Sequence, residues 1–220
     1  MIQKVQDGGR RDGKKGEVYM GTRIITIGRQ FGSGGRRIGE RVAKELGIPC
    51  YDRALIEMAS KEMGVDEYDL ERVDESAVSR FFSLHKSPSY TESAMDYGLP
   101  LNDNMFLIQS QIIMKLALKE DCVIIGRCAD YVLRDHPGCI SVFICASKED
   151  RKKRIMDRYE LSERDALDAI KKVDRKRKYY YETYTDNNWG SIDSHQVLMN
   201  VSLLGEDEVV RLIKDMYLDK

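Results

Sequence analysis

Short apolar runs alternate along this chain with longer segments in which apolar residues recur every three or four positions. The runs are rich in β-branched residues and read RIITI, CVIIG and CISVFICA, with weaker ones at PCYD and QVLMNVS. Runs of this kind are typical of strands that are buried on both faces. By contrast, Ile38, Val42 and Leu46 are spaced four apart, which places them on one face of a helix. The pattern therefore predicts five strands separated by helices, the first strand covering residues 23–27.

Capping residues indicate where several of the helices begin and end. Gly47 ends the first helix and Pro49 prevents its continuation, because glycine accepts the left-handed cap conformation and proline lacks an N–H. The pattern Ser-x-x-Asp begins helices after Ser147 and after Ser162. Further helices are predicted over residues 54–63, 105–120 and 206–218.

Strands that alternate with helices in this way predict an open parallel sheet covered by helices on both faces. Ligands of such sheets bind beyond the carboxyl ends of the strands. Four segments directly follow predicted strands, and we expect them to line one crevice. They are residues 28–37, Asp52–Arg53, Gly126–Arg127 and Ala146–Ser147.

The composition bears on the number of domains, on the kinds of partner and on the state of the cysteines. The 220 residues are 42% hydrophobic and 33% charged, which suits one domain with a full core. A net charge of -1 gives no overall attraction to nucleic acid or to an acidic membrane, and no apolar run approaches the ~20 residues that span a bilayer. We therefore expect neither as a partner. The five cysteines lack CxxC spacing, which favours buried, reduced thiols in the cytoplasm over a reactive Cys128.

The glycine-rich segment after the first strand is the strongest candidate for chemistry. Consecutive inward N–H groups and a helix N-terminus together form a phosphate site, and Gly32–Gly35 satisfies both requirements. The P-loop motif G-x-x-x-x-G-K-[ST] is nevertheless not met. With Gly34 as its second glycine, the first position is Arg29, and the lysine and hydroxyl positions are Gly35 and Arg36.

The loop has two interpretations, an anion-binding site or a turn without a ligand, and the cations in the first turn of the following helix bear on the choice. Arg36 and Arg37 oppose the helix dipole by about 0.3–1 kcal/mol each, which favours a bound anion. The alternative is a tight strand–helix turn with no ligand.

Three segments resemble the cytidylate kinase-like family, relatives of bacterial cytidylate kinase. They read ITIGRQFGSGGRRIGERVAKELGIPCYDRALI, IIGRCADYVLRD and VFICASKEDRKKRI, and the similarity extends over about residues 22–215. The resemblance implies an α/β fold of the three-layer P-loop NTPase type, with a five-stranded parallel sheet in one domain of residues 21–220. It also implies an acceptor-binding insertion over residues 64–105 and a helical lid over about 148–190. Residues 1–20, rich in glycine and charge, are expected to form a disordered tail.

The resemblance further implies which residues bind the donor and the acceptor. The donor phosphates of ATP would lie on Arg29, Gly32, Ser33, Gly34, Gly35, Arg36 and Arg37. The monophosphate acceptor, CMP or dCMP, would lie near Asp52, Arg53, Arg127, Asp130, Asp174 and Arg177. Of these, Arg127 would clamp the phosphate, and Asp174 would read the cytosine.

Cations are expected around the transferring group. Arg151, Arg154 and Arg158 share one helix face, and in the resembled kinases such lid arginines embrace the donor phosphates. The expected catalytic set is Arg36, Arg154, Arg158 and Arg177. Magnesium should accompany ATP, but its ligands are not predicted beyond help from Ser33 or Asp52 through water.

Two other functions stay open. The missing lysine and hydroxyl favour a nucleotide-binding regulator without transfer activity, and an unusual insertion would allow a kinase of another small acceptor. The tyrosines at 179–181 and 184 are expected to pack rather than to stack on a base, and the three histidines receive no role. The oligomeric state is not predicted.

Overall fold

The computed structural model describes residues 21–52, Met58 and residues 103–219. The predicted tail, Arg53, most of the helix predicted over 54–63 and residues 64–102 of the expected insertion lie outside the described residues. The proposed division of the chain into tail, insertion and lid therefore stays a prediction.

Among the described residues, five strands form one parallel sheet in the order β2-β3-β1-β4-β5. They are β1 (Ile24–Arg29), β2 (Cys50–Tyr51), β3 (Cys122–Ile125), β4 (Cys139–Cys145) and β5 (Val197–Asn200). The α/β fold with a five-stranded parallel sheet is thus confirmed. The strand β1 continues two residues beyond the predicted end, because Gly28 and Arg29 still pair with Phe143 and Ile144.

Helices connect these strands and continue after the last one. They are α1 (Gly35–Leu46), α2 (Asp103–Lys119), α3 (Ala129–Val132), α4 (Lys148–Tyr159), α5 (Glu163–Thr185), α6 (Val201–Leu204) and α7 (Glu206–Leu218). The predicted caps are confirmed. Gly47 is left-handed at the end of α1, and Ser147 and Ser162 each accept a backbone N–H from the aspartate three residues on.

Helices cover both faces of the sheet, which gives three layers. On one face, α1 and α7 pack through Ile38, Val42 and Ile213 against the central strands. On the other face, α2 and α3 pack through Ile113 and Ala129 against the opposite sides of the same strands. Each fully apolar strand is buried on both faces, as its composition predicted.

A third apolar cluster ties the loop after β1 to the helices α4 and α5. Phe31 packs there against Ile155 of α4 and Ile170 of α5, and Phe31 is only 8% exposed. Since β1 is the central strand, lying between β3 and β4, this loop lies at the middle of the carboxyl edge of the sheet. Ligands of open parallel sheets bind at that position.

Each helix of the described residues is too short or too polar to cross a lipid bilayer. None of the five cysteines forms a disulfide. Burial raises the pKa of the Cys50 and Cys122 thiols to about 12, so both stay protonated near neutral pH.

We expect Ile213→Ala to lower the free energy of unfolding by about 2–5 kcal/mol, because it opens a cavity between α7 and the sheet. Leu218→Ala on the same helix is the matched control, since Leu218 is 62% exposed and should change that free energy by less than about 0.5 kcal/mol. Urea denaturation of both variants measures the difference. Equal losses would contradict the packing of α7 described above.

Candidate functional site

The glycine loop has a backbone that only glycine adopts without strain. Gly32 and Gly34 have φ angles of 78° and 90°, both in the left-handed region. A Cβ on Gly32 would also lie 3.0 Å from the carbonyl oxygen of Arg151 and 3.1 Å from Cγ1 of Ile155. The loop is therefore glycine-rich both for its turn and for the close approach of α4.

A buried ion pair holds the peptide groups on either side of Phe31. Oδ1 of Asp174 accepts the N–H of Phe31 at 2.8 Å, and Nε of Arg151 donates to the Phe31 carbonyl at 2.7 Å. Arg151 and Asp174 also pair directly with each other. Their side chains are 8% and 18% exposed. The loop is thus fixed by one residue from α4 and one from α5.

Two further arginines hold the same stretch of backbone. Nη1 of Arg154 donates to the carbonyls of Gly32 and Ser33, each at 3.0 Å. Nη1 of Arg177 donates to the carbonyl of Arg29 at 3.0 Å. Both residues are members of the expected catalytic set, and both lie against the glycine loop.

The side chain of Arg29 lies beneath the start of α1. A Cβ placed on Gly35 would lie 2.6 Å from Cβ of Arg29, and one placed on Gly126 would lie 1.9 Å from its Nη1. Arg29 also lies 3.8 Å from Asp52, at the end of β2. Gly35 and Gly126 therefore leave room for a buried arginine that connects the ends of three strands.

The two arginines of the first helical turn take different directions. Nε of Arg36 lies 2.9 Å from Glu40 and 3.2 Å from Oδ2 of Asp52, so this side chain stays beside the loop. Arg37 instead pairs with Glu206 of α7 and is 65% exposed. The structure thus brings Arg36 to the candidate site and places Arg37 on the surface that α1 shares with α7.

The turn after β3 is strained. Gly126, Arg127 and Cys128 are successive left-handed residues, with φ angles of 72°, 61° and 54°. The left-handed conformation costs a non-glycine residue about 1–2 kcal/mol, and such strain is concentrated at functional sites. It places the backbone of Arg127 at the carboxyl end of β3, next to the central strand.

A family model described as the cytidylate kinase-like family matches residues 24–203. The chain belongs to the cytidylate kinase-like family. Among solved structures, this cytidylate kinase-like protein is similar to an uncharacterized protein from Eubacterium ventriosum, with 26% identity and a TM-score of 0.67 over 90% of this chain and 100% of that one. No curated protein matches the chain.

Two more distant structures are kinases of small molecules. A shikimate kinase from Bacteroides thetaiotaomicron is 14% identical over 90% of this chain and 99% of that one, with a TM-score of 0.49. A gluconokinase from Sinorhizobium meliloti is 16% identical over 91% of this chain and 97% of that one, with a TM-score of 0.46.

In this cytidylate kinase-like protein, Asp130 is part of a buried polar cluster. It accepts a hydrogen bond from the hydroxyl of Tyr181 at 2.6 Å and lies 3.5 Å from Nδ1 of His195. The same Nδ1 lies 3.3 Å from Oγ of Ser141. Because Ser141 and Asp130 face one ring nitrogen, these residues do not form a nucleophile–base–acid triad, which needs both nitrogens. The cluster borders a cavity of about 250 Å³.

Burial perturbs both titrating members of this cluster. It raises the pKa of the Asp130 carboxyl, although His195 and the hydroxyl of Tyr181 act in the opposite direction. Burial also lowers the pKa of His195, and the nearby Asp130 opposes that shift. Both changes disfavour buried charge.

In this cytidylate kinase-like protein, Arg158, Tyr180 and Tyr184, which the sequence singled out, lie against aromatic rings. The guanidinium of Arg158 lies 5.6 Å from the centroid of the Tyr159 ring. Tyr184 stacks on Phe106 of α2 at 4.3 Å, and Tyr180 lies edge-on to Tyr184 at 4.9 Å. Tyr180 and Tyr184 thus pack α5 against the helix α2, whereas Tyr179 is 54% exposed. Within the described ranges, His, Cys, Asp and Glu do not group by threes in a way that would hold a metal ion.

Sequence reasoning missed the structural roles of three residues that organise the site. Arg151 is visible in the sequence as part of a cationic helix face, yet its position one turn after the Ser147 cap is what carries it to the glycine loop. Phe31 is a single large apolar residue among glycines and polar groups, a signal of anchoring that could have been used. His195 has no neighbouring motif, and only the fold brings it to Asp130.

We expect the stability of the wild type to fall more steeply toward acid than that of His195→Gln. Because the folded-state pKa of His195 is below its ordinary value of 6.5, the unfolded chain binds the proton more readily, and stability is lost as pH falls through that value. Urea denaturation between about pH 7.5 and about pH 5.5 measures both proteins. An equal loss in the two would show that folding does not hinder protonation of His195.

Proposed function

We propose that this cytidylate kinase-like protein transfers the γ-phosphoryl group of ATP to a nucleoside monophosphate, with CMP or dCMP preferred. One observation carries the proposal. The N-terminus of α1 opens from a glycine loop at the carboxyl end of the central strand, has no acidic residue in its first turn, and lies beside Arg36 and Arg154.

Comparison with the other long helices supports a phosphate at this N-terminus. The helices α4 and α5 each have a serine cap and acidic residues in the first turn, which satisfy the N-terminal amides and complement the dipole. The helix α1 has Gly34 at the cap position and arginines in the turn instead. A bound polyphosphate would supply the missing acceptors and the missing negative charge.

The arginines around the loop would supply the charge that lysine provides in the standard motif. Arg36 comes from α1 and pairs with Asp52, and Arg154 comes from α4 and donates to the loop backbone. We propose that Arg36, Arg154, Arg158 and Arg177 neutralise charge on the phosphoryl group during transfer. Arg37 would contribute only to the electrostatic potential near α1, since its guanidinium pairs with Glu206.

The acceptor phosphate would be held at the turn after β3. A guanidinium at a strand end is suited to bidentate contact with a monophosphate, and Arg127 has that position. Asp52, at the end of β2, and Arg53, the next residue along the chain, would extend the same site. Asp130, which has Tyr181 and His195 as partners, would act by supporting the turn.

The transfer needs no protein nucleophile. An oxygen of the acceptor phosphate bonds to the γ-phosphorus, the bond from that phosphorus to the β–γ bridging oxygen breaks, and ADP leaves with the electron pair. The acceptor phosphate is already ionised near neutral pH, so no protein base has to remove a proton.

Magnesium would arrive with the triphosphate and neutralise part of its charge. The hydroxyl of Ser33 is buried and accepts the N–H of Gly35 at 3.3 Å, while Asp52 lies beside Arg29 and Arg36. These contacts favour help from Asp52 through water over direct coordination by either residue. We propose the cytoplasm as the location, as the spacing of the five cysteines in the sequence favours reduced thiols.

A regulator that binds nucleotide without transferring phosphate is the second candidate. The observation in its favour is the loop itself, in which Gly35 and Arg36 replace the lysine and the hydroxyl of the standard motif.

A coupled ADP-release assay across the nucleoside monophosphates separates the two candidates. With ATP and magnesium, we expect turnover to be fastest with CMP or dCMP. Binding of ATP and CMP without turnover would favour the regulator. Turnover only with a different small acceptor would reject the nucleotide preference while leaving the donor site intact.

Two substitutions test the roles of the arginines. We expect Arg36→Ala to raise the KM for ATP by about 10- to 100-fold and Arg127→Ala to raise the KM for CMP by a similar factor, since each removes a charge-assisted hydrogen bond. Arg211→Ala is the control, because Arg211 is exposed and pairs with Glu208 and Asp215 within α7. Interchanged effects in steady-state kinetics would overturn the assignment of donor and acceptor sides.

A further inference from the structure

We infer that Asp174 and Arg151 are positioning residues that set the glycine loop for the donor phosphates, and that Asp174 does not read the acceptor base. This inference rests on the proposed function for its kinetic consequences. Its structural part concerns the loop alone and can be tested without turnover.

Both carboxylate oxygens of Asp174 already have partners at the loop. Its Oδ1 accepts the N–H of Phe31, and its Oδ2 pairs with Arg151. A carboxylate that reads the exocyclic amino group of cytosine needs an oxygen directed at the base. Here both oxygens are directed at the loop and at the arginine that holds the same loop residue.

Phe31 is anchored through its ring as well as through its backbone. The ring is buried in the α4–α5 cluster and stacks on Tyr159 with a centroid distance of 6.2 Å. The guanidinium of Arg177 lies 5.7 Å from the centroid of the same ring. Residue 31 is therefore held by side-chain packing and by hydrogen bonds at its N–H and its carbonyl, so it serves as the fixed point from which the glycines continue.

The arginines on α4 also determine the direction of the loop amides. In a trans peptide the C=O and the following N–H point in opposite directions, and the described chain has no cis peptides. Arg151 holds the carbonyl of Phe31, and Arg154 holds those of Gly32 and Ser33. Holding the carbonyls of Phe31 and Ser33 toward α4 turns the N–H groups of Gly32 and Gly34 away from α4. A phosphate bound to the loop on the side away from α4 would meet these amides.

The geometry of the helices makes this arrangement depend on both of them. Arg151 and Arg154 are three residues apart on α4, and Asp174 and Arg177 are three apart on α5, so each pair lies on one helix face. The ion pair between Arg151 and Asp174 joins the two faces at the loop. Loss of either partner should release the peptides that flank Phe31.

The test compares Asp174→Asn and Arg151→Lys in the full-length protein. We expect each to raise the KM for ATP by about 10-fold or more, by the same factor with CMP and with UMP as acceptor. The ratio of kcat/KM for CMP to that for UMP should stay at its wild-type value. A change in that ratio for Asp174→Asn alone, with the KM for ATP unaltered, would show that Asp174 reads the base and would overturn the inference.

The matched control breaks a different ion pair between the same two helices. Lys152 of α4 pairs with Glu163 at the start of α5 at 2.7 Å and has no contact with the glycine loop among those described. Lys152→Met should therefore leave the KM for ATP at its wild-type value. An increase as large as that of Arg151→Lys would indicate that any loosening of α4 from α5 has the effect, and would overturn the specific role of Arg151 and Asp174.

Amide hydrogen exchange followed by mass spectrometry provides a readout besides activity. We expect peptides covering residues 30–35 to exchange at least about 10-fold faster in Asp174→Asn and in Arg151→Lys than in the wild type or in Lys152→Met. Unchanged exchange would overturn the positioning role even if the kinetics were altered. If the wild type neither binds ATP nor turns over, the proposed function fails, while the exchange result still decides whether these residues position the loop.

If Asp174→Asn does not fold, Arg151→Lys still tests the inference. Arg151→Lys keeps the positive charge beside Asp174 and loses only the fork geometry that reaches Phe31 and Asp174 together. The double variant should raise the KM for ATP by less than the product of the two single factors, because both substitutions remove one shared contact. Fully multiplicative effects would contradict a joint action on the loop.

Discussion

The structure of the candidate site depends on the fixing of the two peptide groups that flank Phe31. Arg151 and Asp174 come from different helices, and neither could remain buried at this position without a partner of opposite charge. The two side chains pair with each other, and they also bind the N–H and the carbonyl of Phe31, so that these buried polar groups all have partners. The glycine loop therefore does not owe its shape to its glycines alone. The glycines allow the left-handed turn, and the ion pair holds the backbone in that conformation.

The same cost of burial explains the arrangement of the other charges near the loop. Arg29 is confined beneath α1 by two glycines and lies near Asp52, and Arg36 reaches the same carboxylate from the other side. Among the described residues, Asp52, Asp174 and Glu40 are carboxylates that pair with arginines around the loop. Guanidinium groups beside a helix N-terminus that has no acidic residue in its first turn favour a bound anion.

The parts of the fold that could be predicted from the sequence are those determined by local pattern. The apolar β-branched runs identified β1, β3 and β4, and the weaker runs PCYD and QVLMNVS identified β2 and β5. Gly47, Ser147 and Ser162 gave helix ends that the structure confirms. The short helices α3 and α6 were missed, because four residues are too few to establish a period. The order of the strands follows from family membership and from packing, which no short segment encodes.

The sequence indicated a candidate site where one segment contains the relevant residues, and it did not indicate the contacts between distant segments. The glycine loop was found because its glycines, its strand and its helix are contiguous. The contact of Asp174 with Phe31 joins residues 143 positions apart, and that of Asp130 with His195 depends on the loop before β5. The charge of Arg37 was visible in the sequence, but its pairing with Glu206 was not, because α7 reaches α1 only in the folded chain.

The helix α5 has a mechanical consequence for the protein. Asp174, Arg177 and Tyr181 are spaced at i, i+3 and i+7, so a single helix face contacts the backbone after β1 and the carboxylate that follows β3. Those contacts span about 10 Å of a stiff rod. The spacing between these two strand ends is therefore set by the separation of the three residues along α5.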